Sequence, residues 1–239
     1  MIDLSSKALP WFITFEGGEG CGKSSQLQMF YKWFSDNYGP AIKTREPGGE
    51  VIAERIREIL LDKDNRIEDL TELLLYEAAR TQFVANILRP NFGKGISVLC
   101  DRFYDSTTAY QGYARGLSLG EVNHLNHLVT GGLNPDLTFI LDIDPVAGLN
   151  RAGMRGEKDR IEKETIEFHQ KVRNGYLKIA EDNLNRCVVI PSQDGIGLVQ
   201  DDLRREFCKI TGKPYETGKK KIGRPEKGYK DEQLGLFGN

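Results

Sequence analysis

A chain of 239 residues, 39% hydrophobic and 28% charged, has room for one α/β domain of about 210 residues and a tail. Its formal net charge of −2 carries no nucleic-acid or membrane signal, and no apolar run approaches the ~20 residues that a membrane span needs. No signal-peptide pattern opens the chain, and the four cysteines (Cys21, Cys100, Cys187, Cys208) form neither a C-x-x-C pair nor a metal spacing. They read as reduced thiols, and a cytoplasmic protein is expected.

Residues 1–10 form a short N-terminal extension. An apolar run predicts a strand over 11–16, then a Gly-rich loop and a helix over 23–37. A strand at 41–45 leads to helices over 50–62 and 68–92, and a strand at 96–101 leads to a helix over 118–130. The strand at 137–143 precedes helices over 145–154 and 162–184, and the strand at 187–191 precedes a helix over 196–209. This alternation predicts an α/β fold over 11–210: a five-stranded parallel sheet with helices on both faces, in three layers. Ser97–Asp101 and Leu137–Asp142 are apolar without alternation, as strands covered on both faces must be. Ligands of such sheets bind beyond the C-terminal strand ends.

Four clusters fall at those ends. Gly17-Gly18-Glu19-Gly20-Cys21-Gly22-Lys23-Ser24 is a complete G-x-x-x-x-G-K-[ST] phosphate loop, placed between a strand and a helix. Its N–H groups curl around a polyphosphate, Lys23 reaches the β and γ phosphates, and the Ser24 hydroxyl ligates Mg²⁺. In Thr44-Arg-Glu-Pro-Gly-Gly49, Pro47 sets a turn and Arg45 is either a fork for phosphate or a surface arginine. Asp101 ends an apolar strand and suits either a Mg²⁺ ligand or a helix cap. The Gly- and Arg-rich stretch from Arg151 to Arg160 reads as a solvated loop or as a lid, about 151–161, that closes over the triphosphate.

Taken in order, these motifs closely resemble thymidylate kinase. The resemblance covers roughly 11–210 and rests on Phe-Glu-Gly-x-Glu-Gly-x-Gly-Lys-Ser (15–24), Thr-Arg-Glu-Pro-Gly-Gly (44–49), Ala-Ala-Arg (78–80) and Asp-Arg-Phe (101–103). Ala-Tyr-Gln-Gly (109–112), Pro-Asp-Leu-Thr (135–138) and Asp-Arg-Ile-Glu (159–162) complete it. It implies a P-loop nucleoside monophosphate kinase that converts ATP and dTMP to ADP and dTDP with Mg²⁺, usually as a homodimer. By the same resemblance ATP is held by residues 17–24, Ser25 and Arg160, the last as a lid hinge or an ATP contact, and Mg²⁺ by Ser24 and Asp101.

The remaining roles also come from the resemblance. Tyr76 stands where the family stacks an aromatic ring, normally Phe, on thymine, and Arg80 one turn on reaches the base or its surroundings. Gln111 resembles the residue that bonds the N3 edge, with Ser106 or Thr107 assisting. Arg45 and Arg102 grip the 5′ phosphate, Pro47 shapes the pocket wall, and Glu19 lies near the sugar 3′ hydroxyl. The variable loop positions Gly18, Glu19, Gly20 and Cys21 include no basic residue. The catalytic arginine must therefore come from the lid, as Arg151 or Arg155, beside Lys23, Asp101 and Arg102. Gly153 stands where some relatives carry another arginine.

Residues 211–239 are polar and Gly-rich, and disorder is expected there. Lys219–Pro225 faintly resembles an AT-hook, but a solvated basic linker without DNA contact is the expectation. Gln233-Leu234-Gly235-Leu236-Phe237 resembles the peptide by which bacterial replication proteins dock on the sliding clamp. Two other functions stay open: a kinase for other or several deoxynucleoside monophosphates, and an inactive kinase-like binding protein associated with replication.

Overall fold

The computed structural model describes residues 2–154, 156 and 159–215. Arg155 and the whole segment 216–239, with its clamp-like and hook-like motifs, lie outside the described residues.

Five parallel strands form one sheet in the order β2-β3-β1-β4-β5. They are β1 (Phe12–Glu16), β2 (Ala41–Arg45), β3 (Ser97–Asp101), β4 (Leu137–Asp142) and β5 (Cys187–Pro191). β1 is central, with Thr14 in register with Cys100 on one side and Thr138 on the other. Because side chains alternate across a strand, Ile13 and Phe15 enter one hydrophobic cluster while Phe12 enters another. Glu16, two residues beyond Thr14, is therefore placed on the Phe12 face of the sheet.

On the first face lie α1 (Lys23–Tyr38) and α9 (Ile196–Thr211), whose Leu27, Phe30, Phe34, Val199, Leu203 and Phe207 are buried against the strands. Phe30 is fully buried, with ring centroids 5.5 Å from Phe15, 5.5 Å from Phe139 and 5.6 Å from Phe207. The N-terminal extension joins this layer: Leu4 N donates to Ile210 O, and Ile2 and Leu4 pack against the cluster. The other face carries α3 (Asp69–Phe83), α5 (Tyr104–Thr107) and α8 (Ile166–Asp182). Phe83, Phe103, Val172 and Tyr176 are buried there. At the rim run α2 (Val51–Leu61), α6 (Leu119–Thr130) and α7 (Pro145–Gly153).

The three-layer α/β/α expectation holds, with four local differences. The predicted 68–92 helix is α3, a π-helical turn over Val84–Leu88, and α4 (Arg89–Gly93). Residues 104–114, whose Thr, Tyr and Gly content gives no helical period, nonetheless form α5 and a π-helical segment, Thr108–Ala114. Packing on α8 supplies what propensity lacks: Tyr110 buries its ring 6.2 Å from both Phe168 and Tyr176. α8 begins at Ile166, not 162, because Thr165 caps it by accepting from Phe168 N at 3.2 Å. α9 also runs past the predicted domain end to Thr211, stopping at Gly212 in the left-handed region.

Phe30→Ala should remove about 3–5 kcal/mol of stability, since the close-packed aromatic layer cannot collapse into the space left. Equilibrium denaturation in urea should show a lower midpoint with an unchanged slope.

Candidate active site

The C-terminal ends of β1, β2 and β3 converge on one crevice, and each contributes a loop. The β1–α1 loop coils because Gly20 and Gly22 take φ of 68° and 92°. A Cβ on Gly20 would sit 1.9 Å from Gly148 O, so only glycine fits against α7 there. Inside the coil Lys23 Nζ donates to Gly17 O and Gly18 O, both at 2.9 Å. Ser24, in the first turn of α1, donates to Asp101 Oδ2 at 2.6 Å.

These residues open onto a cleft of about 620 Å³ whose lining includes Gly20, Gly22, Lys23, Ser24, Ser25, Arg45, Asp101 and Arg102. A second, narrower recess of about 90 Å³ is lined by Pro47, Tyr76, Arg80, Phe103, Ser106, Thr107 and Gln111. Glu19, Glu46, Arg57, Arg102 and Asp159 line both spaces. The Glu46–Pro47 peptide bond is cis.

Arg102 lies where the two spaces meet. Its Nη1 donates to Gly17 O, Ser106 Oγ and Tyr176 OH, and its Nη2 donates to Glu19 Oε1 at 2.6 Å and Tyr110 OH at 3.2 Å. Its backbone is in the left-handed region, φ 72°, a conformation that costs a non-glycine residue of order 1–3 kcal/mol. Burial works to raise the Glu19 carboxyl, but the charges of Arg102 and Lys23 and the Tyr110 hydroxyl hold it down at about 2.

Arg80 is buried behind the recess. Nε donates to Glu46, Nη1 to Glu77 and Asn126, and Nη2 to Thr107. Of its five N–H donors, these four bonds leave one on Nη2 for a ligand. Burial, countered only in part by Arg80, pushes the Glu46 carboxyl up to about 7, with Glu77 and Glu16 adding to the rise. Glu46 Oε1 is buried with no partner. Burial, with the Glu72 charge beside it, likewise raises the Tyr76 hydroxyl to about 12, so that ring presents a neutral phenol.

The structure thus brings Lys23, Ser24, Ser25, Arg45, Asp101 and Arg102 onto the cleft. It gathers Pro47, Tyr76, Arg80, Ser106, Thr107 and Gln111 on the recess, with Glu19 on both. Cys21 is buried inside the loop, its Sγ 3.5 Å from Lys23 Nζ. Two arginines point elsewhere. Arg151 donates to Ser192 O and Gln193 O in the β5–α9 loop, and Arg160 donates to Leu60 O and pairs with Glu72 at 2.5 Å. Arg45 is held by Glu54 through Nη2 at 2.9 Å.

Arg57 was not among the predicted residues, yet it lines both spaces and donates to Pro47 O. Its signal is an arginine on the inward stripe of α2, between buried Ala53 and Leu60. Glu46 and Glu72 were missed for want of any local signal: their partners are distant in sequence.

The family model described as thymidylate kinase matches residues 15–203. The chain belongs to the thymidylate kinase family. A thymidylate kinase of Gloeobacter violaceus is 50% identical over 171 residues, covering 71% of this chain and 81% of the relative. One from Nostoc punctiforme is 48% identical over 205 residues, 82% of this chain and 96% of the relative. The crystal structure of the Ehrlichia chaffeensis thymidylate kinase superposes with a TM-score of 0.70 at 34% identity, over 82% of this chain and 98% of that one.

For this thymidylate kinase family member, Glu46 makes stability depend on pH. Its folded-state value, about 7 against an ordinary 4.5, means that the native protein holds this proton more tightly than the unfolded chain. The resulting stability is complete below 4.5 and lost as pH rises through about 7, a change of order 3 kcal/mol. Thermal unfolding should therefore show Tm falling from pH 5 to pH 8, and Glu46→Gln should flatten that slope.

Proposed function

We propose that the cleft binds ATP and the recess binds dTMP, with the two phosphate chains meeting at Arg102. As a thymidylate kinase family member, the chain catalyses ATP-dependent phosphorylation of dTMP to dTDP. The observation that carries the two-site reading is the pair of adjoining spaces, one on the phosphate loop and one ringed by Tyr76, Arg80 and Gln111, sharing Glu19, Arg57 and Arg102.

The attacking oxygen belongs to a phosphate monoester that is ionised at neutral pH, so the protein needs no strong general base. Its work is alignment and charge neutralisation. The loop N–H groups and Lys23 hold the donor phosphates, while Arg45, Arg57 and Arg102 surround the acceptor phosphate. Tyr76 covers the base, Gln111 reads its edge, and Pro47 closes the wall. Arg155 is the lid arginine assigned to the transferring group, with Arg151 as its alternative and Arg160 as the hinge that anchors the lid stalk on α2 and α3.

The donor set fits Mg²⁺: a hydroxyl and a carboxylate oxygen, Ser24 Oγ and Asp101 Oδ2, lie 2.6 Å apart on the cleft. Bound there with ATP, the ion would neutralise charge on the phosphates. Among the described residues no group of three or more His, Cys, Asp or Glu is placed to hold a metal, so phosphate and water would supply its other ligands.

The proposal includes a homodimer. Leu70 and Leu74, one turn apart on α3, are 57% and 49% exposed, and Leu128 on the adjoining α6 is 64% exposed. Such an apolar face suits a second copy. No helix among the described residues is long and apolar enough to cross a membrane, and a cytoplasmic location is part of the reading. So is docking of Gln233, Leu234, Leu236 and Phe237 on a sliding clamp. A peptide spanning 230–239 should bind the clamp at tens of micromolar, and replacing Gln233, Leu236 and Phe237 by Ala should abolish that binding.

A coupled assay over dTMP, dUMP, dCMP and dGMP tests the central reading, with dTMP expected to give the highest kcat/KM. Gln111→Ala should raise KM for dTMP by about tenfold, the worth of roughly one hydrogen bond. Arg155→Ala should lower kcat by about 10³-fold with smaller effects on binding, as for other arginine fingers. A preferred substrate other than dTMP, or a severe Arg151→Ala beside a mild Arg155→Ala, would overturn the corresponding assignment.

A further inference from the structure

Glu72 lies on α3, fully buried, and touches no solvent. Its Oε1 accepts from Gln111 Nε2 at 2.7 Å, and its carboxylate also takes Arg115 and Arg160. A carboxylate in this setting offers no hydrogen, so the Gln111 amide must turn its nitrogen toward it. The amide is planar, so its Oε1 is turned away from Glu72, and Gln111 is one of the residues that line the recess. Burial works to raise the Glu72 carboxyl, but Arg115, the Gln111 amide and Arg160 together hold it below the ordinary value.

We infer that Glu72 is a positioning residue that locks the Gln111 amide with its oxygen toward the recess, so that the site selects pyrimidines carrying an N3–H. The inference rests on the reading of the recess as the base site. Thymine and uracil present N3–H as a donor between two carbonyls, and the remaining Nη2 hydrogen of Arg80 suits one of those carbonyls. Cytosine presents a bare N3 acceptor at that edge, which would meet an oxygen it cannot bond. A freely rotating Gln111 would serve both bases by turning over. Glu72 removes that choice, because turning the amide would set Oε1 against a buried anion.

The test uses the full chain and the dTMP-to-dCMP ratio of kcat/KM. Glu72→Gln can meet the Gln111 amide in either orientation, so the ratio should fall by about tenfold, mainly through KM, as for one misdirected hydrogen bond. The same change made in a Gln111→Ala background should have almost no further effect on the ratio. Should Gln111→Ala leave the preference for dTMP intact, the base-site reading falls. Should Gln111→Ala change it while Glu72→Gln does not, only the role of Glu72 falls.

A purely structural Glu72 would lower Tm in Glu72→Gln without moving the ratio, which also overturns the inference. If Glu72→Gln does not fold by circular dichroism, the exchange Glu72→Gln with Gln111→Glu carries the test. It restores a donor facing an anion and an oxygen facing the recess, and should recover the preference for dTMP; a folded exchange variant without it refutes the locking role. In the unaltered protein, dTMP should shift the Gln111 side-chain carbonyl carbon resonance and leave its NH₂ signals in place. Movement of the NH₂ signals instead would show that nitrogen reads the base, and would end the proposal.

Discussion

The site depends on one half-buried guanidinium. Arg102 begins where β3 ends, and its backbone N donates to Phe15 O at 2.9 Å, carrying the sheet pairing one residue further. An arginine drawn partly out of water without partners would be destabilising. Here Gly17, Glu19, Ser106, Tyr110 and Tyr176 all accept from it, and the Tyr110 ring lies 5.1 Å below. Those partners come from the phosphate loop, α5, the following π-helical segment and α8. One cation thus ties four separate pieces of chain to the crevice. The strained left-handed backbone at Arg102 is tolerated because these contacts over-determine it.

Charge is organised in the same way around the recess. Arg80 is enclosed by Glu46 and Glu77, and Glu72 by Arg115 and Arg160. Arg186 is paired with Asp105 at 2.7 Å on the far side of α5. Each cluster joins elements distant in sequence, and each is dry enough that a missing partner leaves a buried charge exposed to no water. Such clusters favour one arrangement of the pocket walls over nearby alternatives. They also leave few spare donors and acceptors, which a ligand must match.

The segment 160–164 shares in this economy. Arg160 and Glu164 reach back to Glu72 and Arg115, so this segment is fastened to the wall of the recess. α7 is held against the phosphate loop by the Gly20–Gly148 contact, where neither residue has room for a Cβ.

Much was legible in the chain itself. The phosphate loop declares its place because glycines at 17, 20 and 22, a lysine and a serine must follow a strand and open a helix for the backbone to curl. The five strands were readable from short apolar runs, and their parallel pairing from the helices between them. These are local matters: hydrophobic period, backbone freedom at glycine, and the reach of one loop. The helical form of 104–114 was not legible, since burial against α8 overrides weak propensity. Nor were the roles of Arg57 and Glu46, the capture of Arg160 by Glu72, or the pairing of Gln111 with Glu72 across 39 residues. Sequence determined which chemical groups the crevice can draw on, because type and spacing are written residue by residue. Only the tertiary structure decided which group faces ligand and which faces another side chain, because that choice follows from desolvation and long-range pairing.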